Sequence, residues 1–291
     1  MRLPWVVTPE EIEKMLEEAS LQLSSKPSAI KKLGIDEIAL IKGQGNYCAV
    51  LRDLETSKLI TIIPGRTQVD IKKVLISWGT EVLEQIEEVS IDLWRGYKTL
   101  VMDLIPNVQV VADRFHVTVQ VNKELDTQIK RERIQARDLE KTTKLRSKKA
   151  ECQQFLEGLK KSKYSLLKNE QDLNEKQKIK LLQVKAVCPT LKIMHELKED
   201  FRQIFDKTTN WLKALFKLGQ WHKRAQKYFP NSRNTIIHWL DEIIAYFDNR
   251  TTSGVVEGIN NKLKLIKRSA YGFRNFDNYK NRCLFTWHFN C

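Results

Sequence analysis

Between residues 34 and 113, short apolar runs alternate with turns and amphipathic segments, and this order constrains the fold more than any other feature of the sequence. The first three runs are IDEIAL (35–40), YCAVL (47–51) and LITII (59–63), and only short turns separate them. Apolar runs of this length, joined by a few residues, predict β-strands that pair with their neighbours in the chain. The segment therefore begins with a predicted antiparallel meander.

Two helices and two further strands are predicted after the meander. Apolar residues recur at helical spacing in 68–86 and again in 93–106, where Pro106 ends the second helix. The runs EEVSID (87–92) and VQVVAD (108–113) predict a fourth and a fifth strand. Three antiparallel strands followed by two parallel crossovers predict an α/β (α+β) fold with a ribonuclease-H-like mixed five-stranded sheet.

The segment before this core is predicted to be helical. In TPEEIEKMLEEASLQL, Thr8 is a helix cap, Pro9 suits the first helical position, and Glu11 completes a capping box. We therefore expect residues 1–33 to form an N-terminal helical segment.

A long helical insertion is predicted to divide the core into two parts. From 118 to 250 the pattern is helical without a clear strand, and TTSG (251–254) breaks it before a final helix that starts near Val255. The expected domains are a first part of the core at 34–117, a basic helical insertion at 118–250, and a completion of the core at 251–291.

The balance of charge predicts a polyanionic partner. The chain has 50 lysines and arginines against 36 aspartates and glutamates, which gives a net charge of +14. The excess is concentrated in 123–168, with 14 basic and 7 acidic residues, and in 254–291, with 7 basic and 2 acidic residues. Nucleic acid is the usual partner of a positive field of this kind.

Composition also argues against several classes of protein. The five cysteines are widely spaced and form no CxxC pair, which argues against a disulfide framework and a structural zinc site. No stretch approaches the roughly 18 uninterrupted apolar residues of a membrane span, and the N-terminus has no apolar signal-peptide region. A cytoplasmic location is therefore expected.

Two acidic residues fall within or at the end of apolar strands. Asp36 lies inside the first predicted strand and Asp92 ends the fourth, and these strands are adjacent in a ribonuclease-H-like sheet. A carboxylate within an apolar strand is costly unless it is paired, hydrogen-bonded or bound to a metal. Two neighbouring carboxylates repel each other, and a divalent cation relieves that repulsion. Ligands that are all oxygen atoms predict Mg²⁺ or Mn²⁺.

A third acid is expected from the last helix, SGVVEGINNKLKLIKRSAYGF. Helical spacing brings Glu257 near one face with Asn261, Lys264 and Arg268, so the acid would face the metals while the others reach DNA phosphates. An amphipathic basic helix with an incidental glutamate is the alternative interpretation. The predicted DNA-binding residues of this helix are Asn261, Lys262, Lys264, Lys267 and Arg268.

Four blocks of sequence resemble one family. GIDEIAL, VSIDLWRGY, VADRFHV and VEGINNKLKLIKRSAYGFRNF, in this order, resemble the bacterial insertion-sequence transposases of the ISL-three family over about residues 34–290. The resemblance implies a ribonuclease-H-like core in which a helical insertion precedes the glutamate of an Asp-Asp-Glu triad. It also implies Asp36, Asp92 and Glu257 as the catalytic and metal-binding residues, with two Mg²⁺ or Mn²⁺ ions as cofactors. The implied substrates are the element ends and target DNA.

The resemblance sets two further expectations. Members of the family usually carry a zinc-binding segment and a helix-turn-helix ahead of the core, whereas only 33 residues precede the core here, so a version lacking that part is expected. Transposases of this general type often act as dimers in the bacterial cytoplasm, which leaves room for a homodimer.

Asp113 and His116 form another feature of the predicted site. In several related transposase groups, an acid or a cysteine, then two residues and a histidine, follow the second catalytic aspartate, and Asp113-Arg114-Phe115-His116 has that form. The resemblance implies that Asp113 and His116 border the active site as auxiliary residues. In a rival assignment, Asp113 is the second triad acid and Asp92 is auxiliary.

The predicted function is metal-dependent DNA cleavage and strand transfer by the catalytic core of an Asp-Asp-Glu transposase. One alternative is a catalytically inactive, truncated remnant that only binds DNA, whose binding would be salt-sensitive and without metal-dependent cutting. The other alternative is a ribonuclease-H-like nuclease, which would cleave branched or hybrid nucleic acid but never join strands.

Overall fold

The computed structural model describes residues 7–23, 27–39, 47–250, 253–270, 273 and 275–288. The chain divides into two units. The first consists of Met1–Asp113 together with Thr251–Cys291, and the second is Arg114–Arg250. No helix within the described ranges is long and apolar enough to cross a membrane.

The apolar runs of the sequence form one mixed sheet in the first unit. Its strands are β1 (Lys32–Ala39), β2 (Tyr47–Asp53), β3 (Lys58–Pro64), β4 (Glu88–Ile91) and β5 (Gln109–Ala112). Their order across the sheet is β3-β2-β1-β4-β5. The pairs β1–β2 and β2–β3 are antiparallel, and the pairs β1–β4 and β4–β5 are parallel. The predicted α/β fold with a ribonuclease-H-like mixed sheet is confirmed.

The first four helices belong to the same unit. They are α1 (Pro9–Leu23), α2 (Gln68–Trp78), α3 (Thr80–Leu83) and α4 (Arg95–Leu104). The predicted capping box of α1 is present, because the Glu11 N–H donates to Thr8 Oγ1 and the Thr8 N–H donates to the Glu11 carboxylate. One long helix over 68–86 was expected, and that prediction is wrong. Gly79 has a φ of 81°, a conformation that favours glycine, and it separates α2 from α3.

In the described residues of the second unit, the regular elements are α-helices and one short 3₁₀ helix at Glu170–Asp172. The helices are α5 (Arg114–Thr142), α6 (Arg146–Leu159), α7 (Lys163–Leu167), α8 (Glu175–Val187), α9 (Pro189–Lys207), α10 (Trp211–Ala225), α11 (Pro230–His238) and α12 (Leu240–Asn249). Its core contains buried aromatic rings, among them Phe201 and Trp221, whose ring centroids are 4.8 Å apart. The indole N–H of Trp221 donates to the Leu197 carbonyl at 2.7 Å, which satisfies its polar atom inside the core.

Two helices, rather than the one predicted, complete the first unit. They are α13 (Ser253–Ser269) and α14 (Phe276–His288). Their apolar residues pack on one face of the sheet. The cluster contains Ile38, Cys48, Val50, Leu59, Ile62, Ile259, Leu263, Ile266, Tyr279, Cys283 and Leu284. Because side chains alternate along a strand, Asp36 lies on the same face of β1 as Ile38 and therefore points toward these helices.

A buried histidine in the second unit is held neutral by its surroundings. His195 is 0% exposed, and neither ring nitrogen has a hydrogen-bond partner among the described residues. Burial, together with the nearby charges of Lys198 and Lys185, lowers the pKa of His195 to about 3. Glu170 lies 3.8 Å from Nδ1, but burial and the two lysines outweigh that attraction. The ring is therefore uncharged in the folded protein near neutral pH.

The neutral His195 predicts that stability falls in mild acid. Because its pKa is lowered in the folded state, the unfolded chain binds the proton first, and stability is lost as the pH falls from about 6.5 toward 3. Between about pH 7.5 and about pH 5.5, the free energy of unfolding should fall by about 1.4 kcal/mol more in the wild type than in His195→Met. Urea unfolding at the two pH values measures this difference. Equal pH dependence in both proteins would contradict the assignment.

Candidate functional site

Three of the predicted acids lie at the same level of neighbouring parallel strands, Asp36 within β1 and the other two directly after β4 and β5. Gly34 of β1 is paired with Ser90 of β4, so the same register continued by two residues brings Asp36 level with Asp92. The β4–β5 register ends at Ile91 and Ala112, and the next residue of each strand is an aspartate, Asp92 and Asp113. As expected, β4 lies directly beside β1, and β5 lies one strand further away.

Asp36 is buried and surrounded by hydrogen-bond donors. Asp36 is only 3% exposed to solvent. Oδ2 accepts a bond from Arg52 Nη2 at 2.7 Å and another from Asn260 Nδ2 at 2.6 Å, while Oδ1 accepts from the Glu37 backbone N–H at 2.7 Å. A carboxylate inside an apolar strand needs compensation of this kind. In the described structure, an ion pair with Arg52 supplies much of it.

Arg52 reaches Asp36 because β1 has a glycine at the position opposite to it. Gly34 is the partner of Arg52 in the antiparallel register, and a Cβ at Gly34 would lie 2.8 Å from Arg52 Cγ. The arginine side chain is 1% exposed and lies over Gly34 on its way to the carboxylate. It lies on the same face of β2 as the buried Val50 and Cys48, which are two and four residues earlier. This spacing of two residues from an apolar face was a signal for a buried arginine that the sequence prediction missed.

Glu37 forms a second polar cluster on the other face of β1. Its Oε1 accepts a hydrogen bond from the Tyr97 hydroxyl at 2.8 Å, and its Oε2 accepts one from Arg66 Nη1 at 2.8 Å. Burial raises the pKa of Tyr97, and the hydrogen bond and charge of Glu37, with the charges of Asp92 and Asp36, raise it further. Tyr97 is therefore a neutral donor close to the acids.

The remaining predicted site residues differ in where they lie. Asp92 follows β4, and its Oδ1 accepts the Trp94 backbone N–H at 3.0 Å, in the turn that leads into α4. Asp113 is buried, and its N–H donates to the Ile91 carbonyl at 2.7 Å. His116 lies in the first turn of α5, in the second unit, where its ring contacts the edge of Phe115. The auxiliary roles of Asp113 and His116 stay predictions.

The third acid is on α13, next to a residue that contacts Asp36. Glu257 lies within α13, and its side chain is outside the described part of the structure. Asn260, three residues later, donates to Asp36, and its own Oδ1 is buried without a hydrogen-bond partner among the described residues. Among the side chains that are described, no group of three or more His, Cys, Asp or Glu residues could hold a metal ion. The triad role of Glu257 thus stays a prediction.

The oxygen atoms around Asp36 fit a hard divalent cation in their chemistry. The donors that the sheet brings level are carboxylates, and the buried amide oxygen of Asn260 is a further oxygen with no partner in the described ranges. Hard cations such as Mg²⁺ and Mn²⁺ prefer oxygen ligands of this type. Asn260 was not predicted, although the doubled asparagine of EGINNK placed it one turn after Glu257.

The five predicted DNA-binding residues of α13 fall into two groups. Asn261, Lys264 and Arg268 are exposed. The Lys262 ammonium donates to the Thr286 carbonyl at 3.0 Å, and the Lys267 ammonium donates to the Ala39 carbonyl at 3.1 Å. DNA binding stays a prediction for all five, and the three exposed residues are better placed for it.

Comparison with known proteins shows the family to which the chain is similar. Residues 33–283 match the ISL3 (ISL-three) family of DDE proteins, whose description is "Transposase". The chain is 27% identical over 271 residues to the transposase for insertion sequence element IS1001 of Bordetella parapertussis, covering 90% of this chain and 63% of that protein. It is 28% identical over 256 residues to the transposase for insertion sequence element IS1557 of Mycobacterium tuberculosis, covering 84% and 57%. The chain thus spans less than two thirds of the length of these relatives.

The close approach of Arg52 to Gly34 predicts the effect of a single methyl group. In Gly34→Ala, the new Cβ would meet Arg52 Cγ and Leu54 Cδ2, each at 2.8 Å, so the free energy of unfolding should fall by about 1–3 kcal/mol. Gly219→Ala in α10 is the control, because a Cβ there meets nothing within 4 Å. The control should gain up to about 1 kcal/mol, since alanine favours the helix. Urea unfolding of both variants measures the two changes, and a neutral Gly34→Ala would contradict the described packing.

Proposed function

This chain belongs to the ISL-three family of DDE transposases, and from that premise we propose that it is the catalytic core of an insertion-sequence transposase. The proposed reaction is metal-dependent cleavage of DNA at the element ends, followed by joining of those ends to target DNA. The observation that carries the proposal is the level register of Asp36 and Asp92 on adjacent parallel strands. The contact of α13, which also carries Glu257, with Asp36 through Asn260 supports it.

The proposed metal-binding residues are Asp36, Asp92 and Glu257. When bound, a pair of Mg²⁺ or Mn²⁺ ions would supply Lewis-acid activation of the attacking hydroxyl and stabilisation of the leaving oxygen in phosphoryl transfer. Asn260 holds Asp36 from the helix side with its amide. This contact fixes the orientation of the Asp36 carboxylate against α13 before DNA binds.

The other residues of the first unit would hold and orient DNA. Asn261, Lys264 and Arg268 are exposed along α13, and we propose that they contact phosphates on either side of the scissile bond. The basic block at 123–168, in the second unit, is a separate candidate for contacts with DNA phosphates. Because such contacts release counterions, binding is expected to weaken steeply as salt is raised.

A second candidate function has its own supporting observation. Asp36 is paired with a buried arginine at 2.7 Å, so its carboxylate is compensated inside the fold without any metal. A remnant that retains the fold and binds DNA through its positive charge, without cutting it, would have this feature. The nuclease alternative requires the same acids as the transposase and differs only in the absence of joining.

A strand-transfer assay separates the three functions. The substrates are a labelled DNA end with a free 3′-hydroxyl and a supercoiled plasmid, incubated with Mg²⁺ or Mn²⁺. The variants Asp36→Asn, Asp92→Asn and Glu257→Gln keep the shape of each side chain and remove its charge. We expect metal-dependent joining in the wild type and a fall of about a thousandfold in each variant, because a lost ligand removes several kcal/mol of transition-state stabilisation.

Two further variants complete the assay. Glu81→Gln is the control, because Glu81 is an exposed acid on α3, and it should join DNA like the wild type. Asp113→Asn tests the rival assignment, since a loss equal to that of Asp36→Asn with an active Asp92→Asn would make Asp113 the second acid. Cleavage without joining would favour the nuclease. DNA binding without any metal-dependent product would contradict the transposase and favour the remnant.

A further inference from the structure

We propose that Arg52 is a tethered cation that competes with the divalent metal for Asp36 and so sets the metal affinity of the site. The inference rests on the proposed function, because it concerns the same carboxylate. It assigns Arg52 a role in regulating the site rather than in the reaction itself. Arg52 is thus a positioning residue whose presence keeps metal binding weak.

The competition follows from which oxygen the arginine contacts. Arg52 Nη2 and Asn260 Nδ2 both donate to Asp36 Oδ2, at 2.7 Å and 2.6 Å. Donor hydrogens directed at this oxygen occupy the directions from which a cation would approach it. A carboxylate held in this way is satisfied by hydrogen bonds, so metal binding to Oδ2 requires that the arginine give way.

The positive charge of Arg52 lies inside the fold. A guanidinium is a permanent cation in proteins. The side chains of Arg52 and Asp36 are 1% and 5% exposed, so water screens the charges little. A divalent ion within a few ångströms of the guanidinium would be repelled strongly at the low dielectric of such a site. Metal affinity should therefore be low while Arg52 holds its present position.

The fold provides for this arrangement of the arginine. Gly34 leaves the space through which the Arg52 stem passes, since a Cβ at Gly34 would lie 2.8 Å from Cγ and 3.0 Å from Nε. The strand register places Arg52 opposite Gly34, two residues away from Asp36 on the same face. The register of β1 and β2, together with Gly34, therefore places Arg52 against Asp36.

Asn260 of α13 also indicates that the described arrangement disfavours a metal at Asp36. Its amide nitrogen faces Asp36, and its oxygen is buried without a hydrogen-bond partner among the described residues. An oxygen in that position would be satisfied by a cation, which is the partner that Arg52 disfavours. In the described structure, both oxygens of Asp36 accept hydrogen bonds, whereas the neighbouring Oδ1 of Asn260 accepts none from the described residues.

Titration with Mn²⁺ tests the competition directly. Free Mn²⁺ is measured by electron paramagnetic resonance against the wild type, Arg52→Met and Arg52→Lys. The methionine retains the length of the stem and removes the cation, so Mn²⁺ should bind at least about tenfold more tightly than to the wild type. The lysine retains a cation near Asp36, so its affinity should stay within about threefold of the wild type. The double variant Asp36→Asn/Arg52→Met is the matched control and should lose the gain.

Thermal melting provides a second readout, because Mn²⁺ that binds the folded state raises the melting temperature. Arg52→Met leaves the Asp36 carboxylate buried without its counterion, so it should melt at a lower temperature than the wild type. Mn²⁺ should raise the melting temperature of Arg52→Met by more than that of the wild type, because the metal then replaces the lost charge. The double variant Asp36→Asn/Arg52→Met should regain stability without metal and respond little to Mn²⁺.

The outcomes separate this inference from the proposed function. Tighter Mn²⁺ binding to Arg52→Met that disappears with Asp36→Asn supports the competition. Equal or weaker binding by Arg52→Met, including no binding by either protein, overturns it. Asp92→Asn in the Arg52→Met background tests the proposed two-acid site separately. If binding there is unchanged, the competition at Asp36 still holds, but Asp92 is not a ligand.

Discussion

The buried ion pair between Asp36 and Arg52 is the interaction on which the first unit depends. Removing either partner leaves a single charge in the interior, which costs about 3–5 kcal/mol, whereas replacing both by apolar residues is often neutral. The pair therefore constrains the surrounding packing more than it stabilises the fold. Gly34 must stay small, β2 must keep its register, and α13 must bring Asn260 to the same oxygen.

The strand order of the sheet places further acids beside Asp36 and so forms a candidate active site. The parallel register of β1, β4 and β5 brings Asp36, Asp92 and Asp113 to one level although they are far apart in the chain. Around the level acids, Tyr97 stays neutral and donates to Glu37, while Arg66 holds the other oxygen of Glu37. Both faces of β1 thus carry a carboxylate, and an arginine compensates each one, Arg52 at Asp36 and Arg66 at Glu37.

Much of this arrangement was predictable from the sequence, for identifiable reasons. Apolar runs and short turns predicted the strands, and the crossover order predicted that β4 would lie beside β1, which the strand order confirms. An aspartate within such a strand predicted that something must compensate it. The split of the helix at Gly79 and the second terminal helix, α14, were missed, because helical spacing alone does not reveal where a chain bends.

The partner of Asp36 could not be chosen from the sequence. Arg52 is one of 50 basic residues, and its position in β2 indicates a face of the strand but not a contact. The contact depends on the antiparallel register that sets Arg52 opposite Gly34, and register is a property of the assembled sheet. Asn260 depends in the same way on the docking of α13. Expecting a metal to compensate Asp36 was reasonable, yet the described structure has a guanidinium in contact with the carboxylate.

Whether Asp36 belongs to a metal site is the central question, and anomalous diffraction from crystals soaked in saturating Mn²⁺ answers it most directly. We expect an anomalous peak against Asp36 that is shared with Asp92, with the Arg52 guanidinium moved away from Oδ2. A structure without a peak at Asp36, in which the ion pair with Arg52 is unchanged at saturating Mn²⁺, would contradict the account. Asp36 would then be a buried structural charge in a fold that binds DNA by other means.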